Sequence, residues 1–249
     1  MELTNKVALI TGGTKGIGAA AAIDLANRGA DIAINGRNDD AEATATKAAV
    51  EALGRRCEII LADVSIPDGA RQCVADTAER FGRVDILIHS AGGLVAGGLF
   101  EVSVEDWMKG FDTHVHAIFH LTRAVIPHMR NGREGAIITI ASAAGKLGCP
   151  THIAYQTVKG TLPQLTRALA RELAGDNIRV NCVAPGVIRT RFHKDMPAEV
   201  YRNNLENRIP LKREGTSEQV ASLITELVTN DYICGDTITI DGGLTSRIA

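Results

Sequence analysis

Tyr155 and Lys159 stand four residues apart in a run that reads as helical, so both side chains leave one face and an ammonium can lie near a phenol. An unperturbed phenol titrates near pH ~10, and a fixed positive charge beside it favours the phenolate, bringing the group toward a useful acid/base range. Ser142 follows the apolar run 136–140, where the carboxyl end of a strand opens onto the ligand crevice of a doubly wound sheet. Its hydroxyl is placed to orient a carbonyl. A trio of this kind does proton transfer at an oxygen, although a Tyr and a Lys at helical spacing are, by themselves, far more often structural.

A second set of residues suits a phosphate ligand. Thr11-Gly12-Gly13-Thr14-Lys15-Gly16-Ile17-Gly18 closes the first apolar run and opens the first helical one. The spacing is GxxxGxG rather than the commoner GxGxxG, yet the mechanics are shared. Gly12 turns the chain off the strand, Gly16 lets backbone approach a pyrophosphate, and Gly18 lets the helix pack closely on the sheet. The helix amino end then offers N–H groups and a positive dipole. The bland alternative is a turn and nothing more, which its place after the first strand argues against. At the end of the second strand, where enzymes using NAD carry an Asp or Glu for the ribose 2'-hydroxyl, the chain reads Ile34-Asn35-Gly36-Arg37. Lys15 and Arg37 can instead meet a 2'-phosphate, which favours NADP(H) over NAD(H). The alternative is that both are solvated surface cations.

These residues need a frame to hold them. Short apolar runs fall at 7–11, 31–35, 57–62, 86–89, 136–140, 179–183 and 237–240. Most are continuous in Val, Ile, Leu and Ala, as strands covered on both faces are. Helical stretches at 17–27, 40–53, 67–81, 104–128, 155–174 and 217–228 alternate with them. The pattern predicts an α/β fold, a doubly wound parallel sheet of seven strands built from right-handed βαβ crossovers. No linker, charge block or repeat divides the chain, so 1–249 is read as a single dinucleotide-binding and catalytic domain. The stretch 184–212, interrupted by Pro185, Pro197 and Pro210, is too long for a simple loop, and 187–212 is read as a cover over the substrate.

Composition narrows the function classes. With 249 residues, 45% hydrophobic and 22% charged, the chain is neither disordered nor a small stapled module, and a net charge of -2 lacks the basic excess of a nucleic-acid binder. The apolar stretch 86–100 holds four glycines and falls short of the ~20 residues of a membrane helix, and the amino terminus lacks signal-peptide character. Five cysteines without a CxxC pair suit a reducing cytoplasm and argue against a structural metal. Within 187–212, six basic side chains face three acidic ones, so an anionic small-molecule substrate is expected there.

The glycine loop, Asp63-Val64, Ala91-Gly92, Ser142 thirteen residues before Tyr155, Lys159, and Pro185-Gly186 with Thr190 together resemble the short-chain dehydrogenase/reductase family, from residue 4 to about 245. The resemblance implies a seven-stranded Rossmann-type sheet and a homotetramer. It implies Tyr155 as catalytic acid/base, Lys159 lowering its pKa and holding the nicotinamide ribose, and Ser142 polarising the carbonyl. For the cofactor it implies Gly12, Thr14, Lys15, Gly16, Ile17, Gly18 and Arg37, with Asp63 and Val64 at the adenine. It adds Ser90, Ala91 and Gly92, together with Pro185 and Gly186, with Ile188 and Thr190 at the carboxamide. Two positions depart from the family pattern. Asn-Asn-Ala-Gly is here His89-Ser90-Ala91-Gly92, so Ser90 replaces an amide that steadies the central sheet. The Asn of a proton relay aligns with His114 when Trp107 and Phe119 are used as anchors, and an imidazole can itself pass protons. His116, His120 and His128 receive no role. The reading is an NADP-dependent oxidoreductase of a ketone or secondary alcohol, with a 3-oxoacyl thioester as one substrate. A sugar or polyol dehydrogenase is the alternative, and a catalytically silent NADP-binding sensor or assembly subunit the reading of another class.

Overall fold

The computed structural model describes residues 1–190 and 196–246. Seven parallel strands, β1 (Val7–Thr11), β2 (Asp31–Gly36), β3 (Cys57–Leu61), β4 (Ile86–His89), β5 (Gly135–Ile140), β6 (Ile178–Pro185) and β7 (Thr237–Ile240), form one sheet in the order β3-β2-β1-β4-β5-β6-β7. The chain runs outward from β1 to β3, returns to the centre, and runs outward again from β4. The order therefore reverses between β1 and β4, where a crevice opens at the carboxyl ends of the strands.

Both faces of the sheet are covered, which is why its strands are apolar throughout. Ala8 and Ile10 of β1, with Ile86 and Ile88 of β4, pack toward α1 (Gly16–Asn27) and α8 (Ser217–Thr229). On the opposite face Leu9, Leu87 and Ile137 meet α3 (Pro67–Phe81), α5 (Ala117–Gly132) and α6 (Ile153–Leu173). α2 (Ala41–Glu51) is capped by the Asp40 carboxylate, and α8 by a reciprocal pair, Thr216 with Gln219. No helix among the described residues is long and apolar enough to cross a membrane.

The expected helix 104–128 is interrupted. α4 (Val104–Phe111) gives way to a π-turn, Asp112–His116, before α5 begins. One extra residue per turn shifts the register there and aims His114 inward. The Thr113 carbonyl in that turn accepts a hydrogen bond from the His89 ring at 3.0 Å, an outside partner for a group the α-helical ladder would otherwise occupy. Between β6 and α8 lies a short α7 (Ala198–Asn203), followed by a second π-turn, Asn204–Arg208.

Glycines set the tightest approaches. Gly12 has φ +64, and a Cβ there would lie 2.7 Å from the Ala91 backbone, so the loops after β1 and β4 touch through bare backbone. At Gly18 a Cβ would sit 2.2 Å from the Gly12 carbonyl oxygen. Gly18→Ala must push α1 off the glycine loop. It is expected to cost about 1–3 kcal/mol in urea unfolding and to weaken dinucleotide binding, and an unchanged midpoint with unchanged affinity would contradict this packing.

Candidate active site

Ser142 is the second residue beyond β5, and its hydroxyl accepts from the Ala144 N–H at 3.1 Å to open a short turn, Ala143–Gly145. The same hydroxyl is hydrogen-bonded to the Tyr155 phenol. Tyr155 and Lys159 lie one turn apart on α6, and the turn packs directly on that helix, because a Cβ at Gly145 would be 2.6 Å from the Lys159 carbonyl carbon. The structure thus brings the three expected residues together.

Their electrostatics follow from burial. The Lys159 ammonium is 5.8 Å from the centre of the Tyr155 ring and donates to the Ile140 carbonyl at 2.6 Å. Burial pushes its pKa down to about 8. Burial also raises the Tyr155 phenol above its usual value, and the bond from Ser142 draws it only partly back. The sequence suggests a phenol lowered by its lysine; in this arrangement the ammonium is turned to Ile140 and the phenol keeps its proton at neutral pH.

His114 is 3% exposed, and its Nε2 lies 3.0 Å from the Gly93 carbonyl, which fixes Nε2 as the protonated nitrogen. Its ring rests on Gly92, where a Cβ would come within 2.1 Å of Cε1, and meets the Tyr155 ring edge-on at 6.0 Å between centres. Burial, aided by Lys159, holds it neutral. His89, which sequence reasoning left without a role, is buried beside it, and Thr11 Oγ1 lies 2.8 Å from its Nδ1. The strut expected to be weakened at Ser90 is therefore supplied by the residue before it. Ser90 itself donates its N–H to the Thr11 carbonyl at 3.0 Å. The signal was present in the sequence, since an imidazole at the end of a buried apolar strand needs two partners. His116 pairs with Asp112 on the surface, away from these contacts.

Around the trio the chain is tied down at several points. The Gly97 N–H donates to the Thr151 carbonyl and the Gly97 carbonyl accepts from Ile153, at 2.8 and 3.2 Å. Gln156 clasps the Cys149 backbone through both its amide atoms, at 2.9 and 2.8 Å. A cleft of about 380 Å³ opens between 93–96 and α4, with Asp106, Lys109, Thr113 and His114 on its wall.

The glycine loop and its neighbours form a cradle. Gly16 has φ +57 at the start of α1, and among the described residues no side chain accepts from the first N–H groups of that helix. Ile17 packs against the core and Thr14 is buried, with its carbonyl bonded to Thr46. The Thr190 methyl lies 3.7 Å from where a Gly16 Cβ would be, so the segment Pro185, Gly186, Ile188 and Thr190 arches over the loop. Ile188 is buried and bridged to Gly215. Val64 is buried below, and the Asp63 carboxylate is held low chiefly by the Ser65 hydroxyl. Ala91 and Gly92 close the crevice from β4. Where an acidic side chain would meet a ribose stands Gly36, and a Cβ there would lie 2.8 Å from the Thr14 methyl, which would have to shift. Arg37 is exposed next to it, and Lys15 pairs with Glu42 at 3.2 Å. Bare backbone, uncapped helix N–H groups and flanking cations fit a dinucleotide. Of the cover's cations, Arg189 is matched to Glu214 at 3.1 Å, while Arg191 and Lys194 lie outside the described residues.

A family model described as enoyl-(acyl carrier protein) reductase matches residues 12–245. A 3-oxoacyl-(acyl-carrier-protein) reductase FabG of Chlamydia muridarum is 34% identical over 244 residues, 97% of this chain and 98% of that protein. The chain belongs to the short-chain dehydrogenase/reductase family. Glucose 1-dehydrogenase 2 of Bacillus subtilis is likewise 34% identical, over 98% of this chain and 96% of its own length. L-Sorbose reductase from Gluconobacter frateurii, solved with NADPH and L-sorbose, superposes with a TM-score of 0.92 at 30% identity over 100% of this chain and 99% of that one. As a member of this family the chain is an oxidoreductase of C=O and CH–OH groups that uses a nicotinamide cofactor.

The lowered pKa of Lys159 has a measurable sign. Between about 8 and the ordinary 10.5 the unfolded chain holds more protons at this position than the folded one, so stability rises with pH across that window. Urea unfolding of the cofactor-free protein beside Lys159→Met, at pH 7 and pH ~10, is expected to show the native chain gaining relative to the variant as pH rises. A constant difference would mean that the ammonium is not desolvated.

Proposed function

We propose that the chain is an NADPH-dependent ketone reductase in which Ser142, Tyr155 and Lys159 carry the acid/base chemistry. The observation that carries this reading is the half-buried Tyr155, its phenol hydrogen-bonded to Ser142, one helical turn from the buried Lys159 ammonium. The Ser142 hydroxyl donates to the substrate carbonyl and fixes its oxygen beside the phenol. Tyr155 Oη gives its proton to that oxygen as negative charge develops there, and its raised pKa keeps the proton available through neutral pH. Lys159 steadies the phenolate left behind, the one state in which its charge and the phenol's are opposite. The nicotinamide, when bound, supplies the hydride to the carbonyl carbon. An intact trio argues against a silent sensor.

Gly36 and Arg37 support NADP(H). Gly36 stands in place of the acid that would hold a ribose 2'-hydroxyl, and the guanidinium beside it matches a phosphate. For the substrate, the loop 93–100 reads Gly-Leu-Val-Ala-Gly-Gly-Leu-Phe and carries no side-chain hydrogen-bonding group. A polyol needs several such partners, so this loop suits an acyl chain, as in a 3-oxoacyl thioester, while Asp106, Lys109 and Thr113 on the facing wall would serve a more polar substrate. The sugar reading stays as the alternative because two of the relatives named above act on sugars. The charge excess of 187–212 supports an anionic group on the substrate, with that segment as its cover. We also infer a homotetramer, since Val104, Met108 and Phe119 present apolar side chains on α4 and α5. The five free thiols suit a reducing compartment.

Tyr155→Phe is expected to lower kcat by about 10²–10⁴-fold while the Kd for NADPH holds, because only the transferable proton is lost. Retained turnover would remove Tyr155 from the mechanism. Arg37→Asp should weaken NADPH by at least about tenfold more than NADH, and equal effects on both would locate the 2'-phosphate elsewhere. Steady-state rates with a 3-oxoacyl thioester beside a keto sugar decide the substrate class.

A further inference from the structure

Two buried imidazoles lie close to the catalytic trio. His89 ends β4 and its Nε2 reaches the Thr113 carbonyl in the π-turn at 3.0 Å. His114, the next residue of that turn, reaches back with its own Nε2 to the Gly93 carbonyl, four residues beyond His89, also at 3.0 Å. A carbonyl only accepts, so both rings must carry their proton on Nε2. The Nδ1 of His89 is then an acceptor and takes the Thr11 hydroxyl at 2.8 Å, leaving Thr11 Oγ1 to accept from the Ala91 N–H at 3.4 Å.

We propose that His89 is a positioning residue, and that with His114 it forms a reciprocal imidazole–carbonyl clamp that fixes the π-turn and the 93–97 loop against the catalytic trio. This rests on the reductase reading. Each ring bonds the backbone of the segment that carries the other, so neither segment can move without breaking a bond on its partner. One end of the clamp is anchored in β1 at Thr11, which leads into the glycine loop. The other bears on Tyr155 through the edge contact of His114 at 6.0 Å and on the cleft wall at Gly93. The far end of the same loop is pinned to α6 by Gly97. A displacement of this floor acts on the alignment of the reacting groups and so on kcat, for which even ~1 Å is costly. His89 must be neutral for its Nδ1 to accept from Thr11. Burial supports that, lowering His89 to about 4, with the Lys159 charge adding to it.

Glutamine and asparagine separate the two ends of the His89 ring, since a Gln amide reaches the Nε2 position and an Asn amide only that of Nδ1. His89→Asn should lower kcat for the best ketone by about tenfold or more with the NADPH Kd within about twofold, whereas His89→Gln should recover kcat to within about threefold. Equal kcat in the two variants, or losses confined to Tm, would overturn the clamp. The unmutated protein provides a test that needs no folded variant. Imidazole ¹⁵N spectra between pH 5.5 and 8 should show both rings neutral with the proton on Nε2, and a ring whose only proton is on Nδ1 at either position, or a charged His89, would also overturn it. If the native chain turns over no ketone, the reductase reading fails, and the ring tautomers decide the clamp alone.

Discussion

The contact on which this structure depends is the close approach of the loops leaving β1 and β4. With Gly12 lying on the Ala91 backbone, two neighbouring parallel strands end together and diverge on opposite sides of the sheet, and the crevice between them is lined by backbone. The start of α1 faces that crevice from one side and the π-turn from the other. Any side chain at Gly12 would part the loops, and the cradle and the catalytic floor would separate with them.

Burial does the chemical tuning. Lys159, Tyr155, His89 and His114 are packed into one region, and in each the charged form is disfavoured by desolvation before any neighbour acts. The outcome is a site with a protonated phenol, two neutral imidazoles and one ammonium whose proton is loosened. The Ile140 carbonyl gives that ammonium a partner at the end of β5, so the strand supporting Ser142 also orients Lys159. Sheet, turn and helix are thereby locked to one another through the groups that do the chemistry.

Much of this was legible in the sequence for simple reasons. Continuous apolar runs mark strands covered on both faces, and the seven runs at 7–11 through 237–240 became the seven strands with only their ends adjusted. Ser142, Tyr155 and Lys159 were legible because their spacing follows from the strand-turn-helix that carries them. The break at Asp112–His116 was not, because a one-residue shift of helical phase is hard to read over a single turn, and the carbonyl it frees is met by His89, 24 residues away. The direction of the Tyr155 shift was hidden for the same kind of reason. A Lys at i+4 indicates proximity, but not that its ammonium will turn to a carbonyl of another strand. Nor does a charge count over 187–212 reveal that Arg189 is already matched by Glu214.

Reduction of a ketone by NADPH, as proposed for this chain, can be followed by label from NADPH deuterated at C4 into the products of a 3-oxoacyl thioester and a keto sugar. Deuterium is expected at the new carbinol carbon of one of them, appearing at least about 10²-fold more slowly with Tyr155→Phe. Full binding of NADPH with no label reaching either carbonyl carbon, or label transfer undiminished by Tyr155→Phe, would overturn that reading.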